Sequence, residues 1–160
     1  MKKAFIAILA LACVGCAASV QGQDLNNQYV TIGYNQGDAW VFDSEGISLG
    51  IINVPTEAKG TGAYFDLGLN TADVGPLGFD NFSVSGGYTY GLNDKVYGLL
   101  GLSYHSDYSY ELPGLTLDIP ATDDWGLDFG IGTQFDNGMT GFVKHSTANE
   151  ITTVGIGFIY

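Results

Sequence analysis

The residues best equipped for chemistry stand near the carboxy-terminus, in Lys144-His145-Ser146-Thr147 with Glu150 close behind. A histidine base, a hydroxyl nucleophile and an acid are the parts of a serine-type hydrolase, where the base takes the hydroxyl proton and the acid orients the base. The spacing argues against that use. Ser146 follows His145 directly, adjacent side chains of an extended chain point to opposite faces, and the position two along is Thr147. A second constellation is Asp66, Asp128 and Lys144, charges set in otherwise neutral stretches. Asp128 and Lys144 fall on neighbouring segments, so a buried ion pair is expected, with Asp66 as a further interior acid and His105 as a satisfied interior histidine. Cys13-Val14-Gly15-Cys16 has the spacing of a redox or metal motif.

The elements that would carry these groups decide between the uses. Lys2-Lys3 precedes an apolar run over residues 4–15 and then small residues, which reads as a secretory signal peptide over 1–22, cleaved after Gly22, with Ala18 the next best site. Both cysteines lie in that leader, so neither redox nor metal chemistry is expected of them. Val14-Gly15-Cys16 could instead serve as a lipidation box, although Cys13 stands where leucine is usual. No other stretch approaches the roughly 18 apolar residues of a membrane-spanning helix, so any span beyond residue 22 must be β.

Charge excludes one class of partner. The formal net charge is −12 and all 17 acidic residues follow position 23, while Lys59, Lys95 and Lys144 are the only cations there. Such a surface repels nucleic acid. Disorder is excluded by 13% aromatic residues and by apolar alternation throughout, and 24 glycines suit crowded barrel interiors and tight turns.

Eight alternating segments follow: 28–36, 45–54, 61–70, 81–92, 95–108, 124–135, 139–146 and 150–160. Asn93-Asp94, Asp136-Asn137-Gly138 and 56–60 are short links, and 38–44, 71–80 and 110–123 are expected as longer loops, with an outer hairpin at 147–149. Short turns at one end and long loops at the other, with both termini at the short-turn end, is the pattern of an outer-membrane barrel over 23–160. By parity Asp66, Asp128 and Lys144 point into the lumen. A soluble lipocalin-like barrel has the same period with its apolar face inward. The polar face decides against it: Ser83, Ser85, Gly87, Thr89, Ser103, Gly130 and Thr153 are small and neutral, suited to a narrow lumen rather than to solvent. Trp125, Phe82, Tyr104 and Tyr34 near one set of strand ends, and Tyr90, Phe135 and Tyr160 near the other, have the placement of aromatic girdles.

Three stretches, Ser83 to Tyr90 with its Asn93-Asp94 turn, Trp125 to Gly138, and Val154 to Tyr160, carry a resemblance. The chain resembles the small outer-membrane β-barrels typified by the OmpA transmembrane domain, OmpX and the opacity-type adhesins. The resemblance implies an all-β, eight-stranded antiparallel up-and-down transmembrane barrel. It also implies that Val154, Ile156, Phe158 and Tyr160 form the terminal strand engaged by the barrel-assembly machinery. Many relatives carry a basic residue before a final Phe where this chain ends Phe-Ile-Tyr, and the peptidoglycan-binding domain of full-length relatives has no counterpart here. The group around His145 also resembles that of outer-membrane lipid A deacylases, whose His and Ser stand two apart on a lipid-facing strand. Here that motif is broken.

The expected function is therefore a non-enzymatic, monomeric outer-membrane barrel with a structural or surface-interaction, adhesion-like role, needing no cofactor. A deacylase, a narrow porin and a soluble ligand carrier are the alternatives. Its milieu is outer-membrane lipid and lipopolysaccharide. Loop carboxylates at Asp38, Asp43, Glu45, Asp107, Glu111, Asp118, Asp123 and Asp124 are candidates to recruit divalent cations, without the spacing of an EF-hand.

Overall fold

A computed structural model describes residues 28–39, 42–112, 115–120 and 124–160. The leader, its cysteines and Asp123 lie outside the described residues. Among those described, the strands are β1 Gln28–Ala39, β2 Phe42–Asn53, β3 Thr61–Val74, β4 Leu77–Gly91, β5 Val96–His105, β6 Tyr108–Leu112, β7 Leu115–Ile119, β8 Trp125–Phe135, β9 Met139–Ser146 and β10 Thr152–Ile159. All except β6 and β7 close into an eight-stranded antiparallel barrel, in which β10 returns to β1 with Tyr29 opposite Ile159 and Gln36 opposite Thr152.

Alternation places the apolar side chains outside. Val30, Ile32, Leu49, Leu69, Leu100, Leu127, Phe129, Ile131, Val154 and Ile156 are all exposed. Each such side chain left in water forgoes about 1.5–3 kcal/mol, so a belt of this size requires lipid. The soluble-carrier alternative is overturned by this facing. Phe65 and Val84 share the outward parity but are buried; the Phe65 ring leans over Gly86, which has no side chain to hold it off.

One end of the barrel is made of tight turns. Asn93 Oδ1 accepts hydrogen bonds from the N–H groups of Lys95 and Val96, each at 2.9 Å, and Gly138 takes the positive φ that its turn requires. At the other end, two of the expected loops are strand. β1 and β2 stay paired to Ala39 and Phe42, and β3 and β4 to Val74 and Leu77, leaving Gly75-Pro76 as the turn. The expected single strand over 95–108 stops at His105, and the expected loop over 110–123 contains the hairpin β6–β7, joined to β4 where Asp80 faces Ser109. Beyond the lipid belt a strand no longer needs apolar outward residues, so in β3 and β4 the apolar side chains turn to the inner face while backbone pairing continues. Ala72, Phe79 and Tyr108 bury a small second core there, with Val74, Leu77 and Tyr110 against it.

The lumen also departs from expectation. Small neutral residues line its long-hairpin half, but the short-turn half is an apolar core of Tyr29, Ile52, Val54, Tyr64, Tyr97 and Leu99, with Phe142 packed on it. Inward glycines make room for the rings: Gly132 lies under Tyr97 and Gly155 under Phe142.

Candidate functional site: the lumen and the acidic end

Where the two halves of the lumen meet, β3, β8 and β9 bring Asp66, Asp128 and Lys144 together. Lys144 Nζ lies 2.6 Å from Asp66 Oδ2 and 3.2 Å from Asp128 Oδ2, and it also donates to Ser85 Oγ. Ser85 donates to Asp66 Oδ1 at 2.8 Å, and Tyr64 donates to Asp128 Oδ2 at 2.9 Å while its ring stands 5.2 Å from the ammonium. The expected pair is thus part of a triad, and Asp66 makes its shorter contact. Each charged residue has a glycine as one cross-strand partner, Gly50 opposite Asp66, Gly101 opposite Asp128 and Gly130 opposite Lys144. The missing side chains give the charges space to reach across. Two carboxylates around one ammonium, almost fully withdrawn from solvent, make a cross-brace. Among the described residues neither Asp128 Oδ1 nor His105 Nδ1, both buried, has a hydrogen-bond partner, so the His105 ring is not fully satisfied as expected.

Above the triad runs a chain of amides. Thr153 Oγ1 donates to Asn35 Oδ1 at 2.9 Å, Asn35 Nδ2 to Asn70 Oδ1 at 2.9 Å, Asn70 Nδ2 to Asn81 Oδ1 at 3.1 Å, and Asn81 Nδ2 to the Ser106 carbonyl. Every link donates in the same direction, an arrangement that strengthens each bond in turn. Gly46 lies between Asn35 and Asn70 on the intervening strand, and a Cβ there would meet Asn70. Residue type conceals these asparagines in the sequence, because asparagine is common in turns; their inward parity is the available signal. Higher still, the buried Tyr108 donates to Ser44 Oγ at 2.9 Å across the barrel mouth, and burial raises its phenol above the ordinary value.

The residues of the hydrolase alternative are kept apart. His145 faces outward, its Nδ1 3.0 Å from Thr152 Oγ1 and its ring 5.2 Å from that of Phe129. Ser146 faces inward and shares a 2.5 Å hydrogen bond with Ser103 Oγ. Thr147 Oγ1 accepts the Leu127 N–H at 2.9 Å, and Glu150 sits at positive φ in the turn before β10. No nucleophile–base contact joins these four residues.

Among the described residues, the long-hairpin end carries Asp38, Asp43, Glu45, Asp73, Asp80, Asp107, Glu111, Asp118, Asp124 and Glu150, and no lysine or arginine. Lys59 and Lys95 belong to the short-turn end, where Lys95 pairs with Asp136 at 2.7 Å. Among the described residues, no three carboxylate, histidine or cysteine side chains gather as a metal site. On the outer wall Val154, Ile156, Phe158 and Tyr160 are exposed in one row, and the Tyr160 hydroxyl donates to Gln28 Oε1 at 2.7 Å. The Tyr104 and Trp125 rings lie 5.1 Å apart, tilted by 56°, near the long-hairpin rim.

No protein-family model and no curated protein matches the chain. Solved structures do. The attachment invasion locus protein of Yersinia pestis, Ail, superposes with a TM-score of 0.56 at 18% identity, covering 82% of this chain and 96% of that one. The same protein in complex with the heparin analogue sucrose octasulfate gives 0.57 at 16% identity, over 82% and 96%. At such identity the likeness is one of fold, and the fold is that of the small eight-stranded outer-membrane β-barrels.

Proposed function

We propose that the chain is exported by a signal peptide cleaved after Gly22, inserts as a monomer into the bacterial outer membrane with its long-hairpin end outside, and acts there as a non-enzymatic structural or surface-interaction protein of adhesion-like role. The observation that carries this reading is the contrast between a lumen plugged, among the described residues, by the apolar core around Tyr64 and the Lys144 triad and strands prolonged well past the lipid belt. A plugged lumen speaks against a porin. Rigid paired strands beyond the membrane have no use in anchoring and instead present a surface. The dispersal of His145, Ser146, Thr147 and Glu150 speaks against the deacylase alternative. The row Val154, Ile156, Phe158 and Tyr160 is the segment offered to the assembly machinery, and lipopolysaccharide, with divalent cations at the acidic end, is the surrounding partner.

Cells expressing the wild type should bind to a protein-coated surface more than cells without it, and a cysteine placed at Thr116 should label on intact cells. Labelling only after permeabilisation overturns the topology. Release of acyl chains from lipid A by the wild type, lost in His145→Ala, overturns the non-enzymatic role.

A further inference from the structure

Charge does not balance inside the lumen. Among the described side chains, only Asp66, Asp128 and Lys144 carry charge into it; every other charged side chain described is exposed. Two carboxylates and one ammonium leave one negative charge over, which is strongly unfavourable in so dry a place unless a charge of opposite sign meets it. The hydrogen bonds show where that charge resides. Asp66 Oδ1 accepts from Ser85, Asp66 Oδ2 accepts from Lys144, and Asp128 Oδ2 is met by both Tyr64 and Lys144. The fourth carboxylate oxygen, Asp128 Oδ1, has no donor among the described residues, on a side chain with 0% exposure.

Neutral donor atoms stand on the same side of the triad. Ser146 is opposite Asp128 in the β8–β9 ladder, and its Oγ is the one that shares a hydrogen bond with Ser103 Oγ. Ser103 and His105 lie two apart on β5 and so share its inward face. His105 Nδ1 is the second buried atom without a partner, on a side chain 3% exposed. A carboxylate oxygen, two hydroxyl oxygens and, with its proton on Nε2, an imidazole nitrogen can all offer lone pairs to a cation. The set holds one acid and not three, which suits an ion of single charge, and a divalent ion would leave a surplus positive charge beside Lys144. We propose that Asp128 Oδ1, Ser103, Ser146 and His105 form a lumenal binding site for one small monovalent cation of the size of Na⁺, which neutralises the charge that the triad leaves over. Its route is polar on one side alone. His105 faces Ser83 in the β4–β5 ladder, with Asn81 next along β4 toward the mouth, whereas the apolar core closes the short-turn side. A lumen of eight strands admits nothing larger.

The test is urea unfolding of the mature barrel in lipid vesicles, with NaCl replaced stepwise by choline chloride at constant ionic strength so that screening does not change. Na⁺ should stabilise the wild type along a saturating curve, and choline, too large for the lumen, should not. Asp128→Asn should raise the half-saturating Na⁺ concentration at least about tenfold. Asp66→Asn is the sharper variant: both Asp66 oxygens are already engaged, yet removing its charge balances the lumen, so Na⁺ should weaken by a similar factor. Asp136→Asn, exposed at the opposite end, should leave the curve unchanged. The imidazole nitrogen resonances of His105 should move with Na⁺ in the wild type. A wild-type stability indifferent to Na⁺ overturns the site without any variant. An unaltered Na⁺ curve in Asp66→Asn overturns the charge balance on which the site rests, and stronger stabilisation by Mg²⁺ than by Na⁺ overturns the single charge of the occupant. Stabilisation by acid in choline, with no response to Na⁺, assigns the missing charge to a proton and overturns the ion.

Discussion

The two halves of the lumen are walled by the same eight strands and held by different forces. In the short-turn half, Tyr29, Ile52, Val54, Tyr97 and Leu99 pack as in the interior of a soluble protein, and their polar tips are tied off locally. Tyr97 shares a 2.7 Å hydrogen bond with Thr140, and Thr89 donates to the Asn53 carbonyl at 2.6 Å. In the long-hairpin half, buried amides and hydroxyls bond to one another in a continuous run. Tyr64 joins the two, its ring in the apolar core and its hydroxyl on Asp128. Apolar packing tolerates partial loss, because neighbours relax into a gap. A buried polar network tolerates it poorly, because each deletion strands the partner left behind. Substitutions on either side of Tyr64 should therefore differ in character as well as in size.

The largest effect is expected at the boundary. Lys144→Met leaves the buried Asp128 and the half-buried Asp66 without their cation and should cost about 3–5 kcal/mol in urea unfolding from lipid vesicles. Because Lys144 serves two acids, adding Asp128→Asn alone should recover only part of that, and Asp66→Asn is needed as well. Full recovery by the double variant would mean that Asp66 is solvated, leaving a simple pair. In the apolar half, Ile52→Ala should cost about 3 kcal/mol, and a small apolar guest that fills the gap should restore part of it. Failure of any such guest to stabilise the variant would mean the half is wet. In the amide half, Asn70→Ala strands Asn35 and Asn81 together and should cost about 2 kcal/mol, with no rescue by an apolar guest. The smallest change lies outside both: Glu150 sits at a φ of 47°, so Glu150→Gly should stabilise by up to about 1 kcal/mol in the same titration, and a loss would show that its side chain contributes more than its backbone strain removes.

The lipid-facing wall was readable in the sequence because a period of two leaves no ambiguity once one face is apolar. Parity likewise placed Asp66, Asp128 and Lys144 inside. It could not choose Asp66 as the closer partner of Lys144: the two are 78 positions apart on strands that are not neighbours, and a contact across the lumen depends on barrel diameter and stagger, which local pattern does not encode. The aromatic core near the tight turns was hidden for a related reason. Tyr64, Tyr97 and Phe142 break the small-polar inward pattern, and only the glycines on facing strands give them space. The strand extensions over 38–44 and 71–80 read as loops because turn-forming residues punctuate them, among them Asp38, Asp43, Asp73, Gly75, Pro76, Gly78 and Asp80, while the apolar Ala72, Val74, Leu77 and Phe79 serve a small core rather than the lipid face. Asp73 and Asp80 look like loop residues until Thr71, donating to Asp80 Oδ1 at 2.9 Å, shows that they belong to a ladder.

The run of amide donors from Thr153 to Ser106 has a consequence for how the barrel is completed. Its first link, Thr153 to Asn35, joins residues 118 positions apart and crosses the seam where the last strand meets the first. A slip of one residue at that seam would turn Thr153 toward lipid and leave Asn35 with an unmatched oxygen, while the backbone ladder could still form. The chain of amides therefore acts as a proofreader, penalising misregistered closure that main-chain pairing alone would accept.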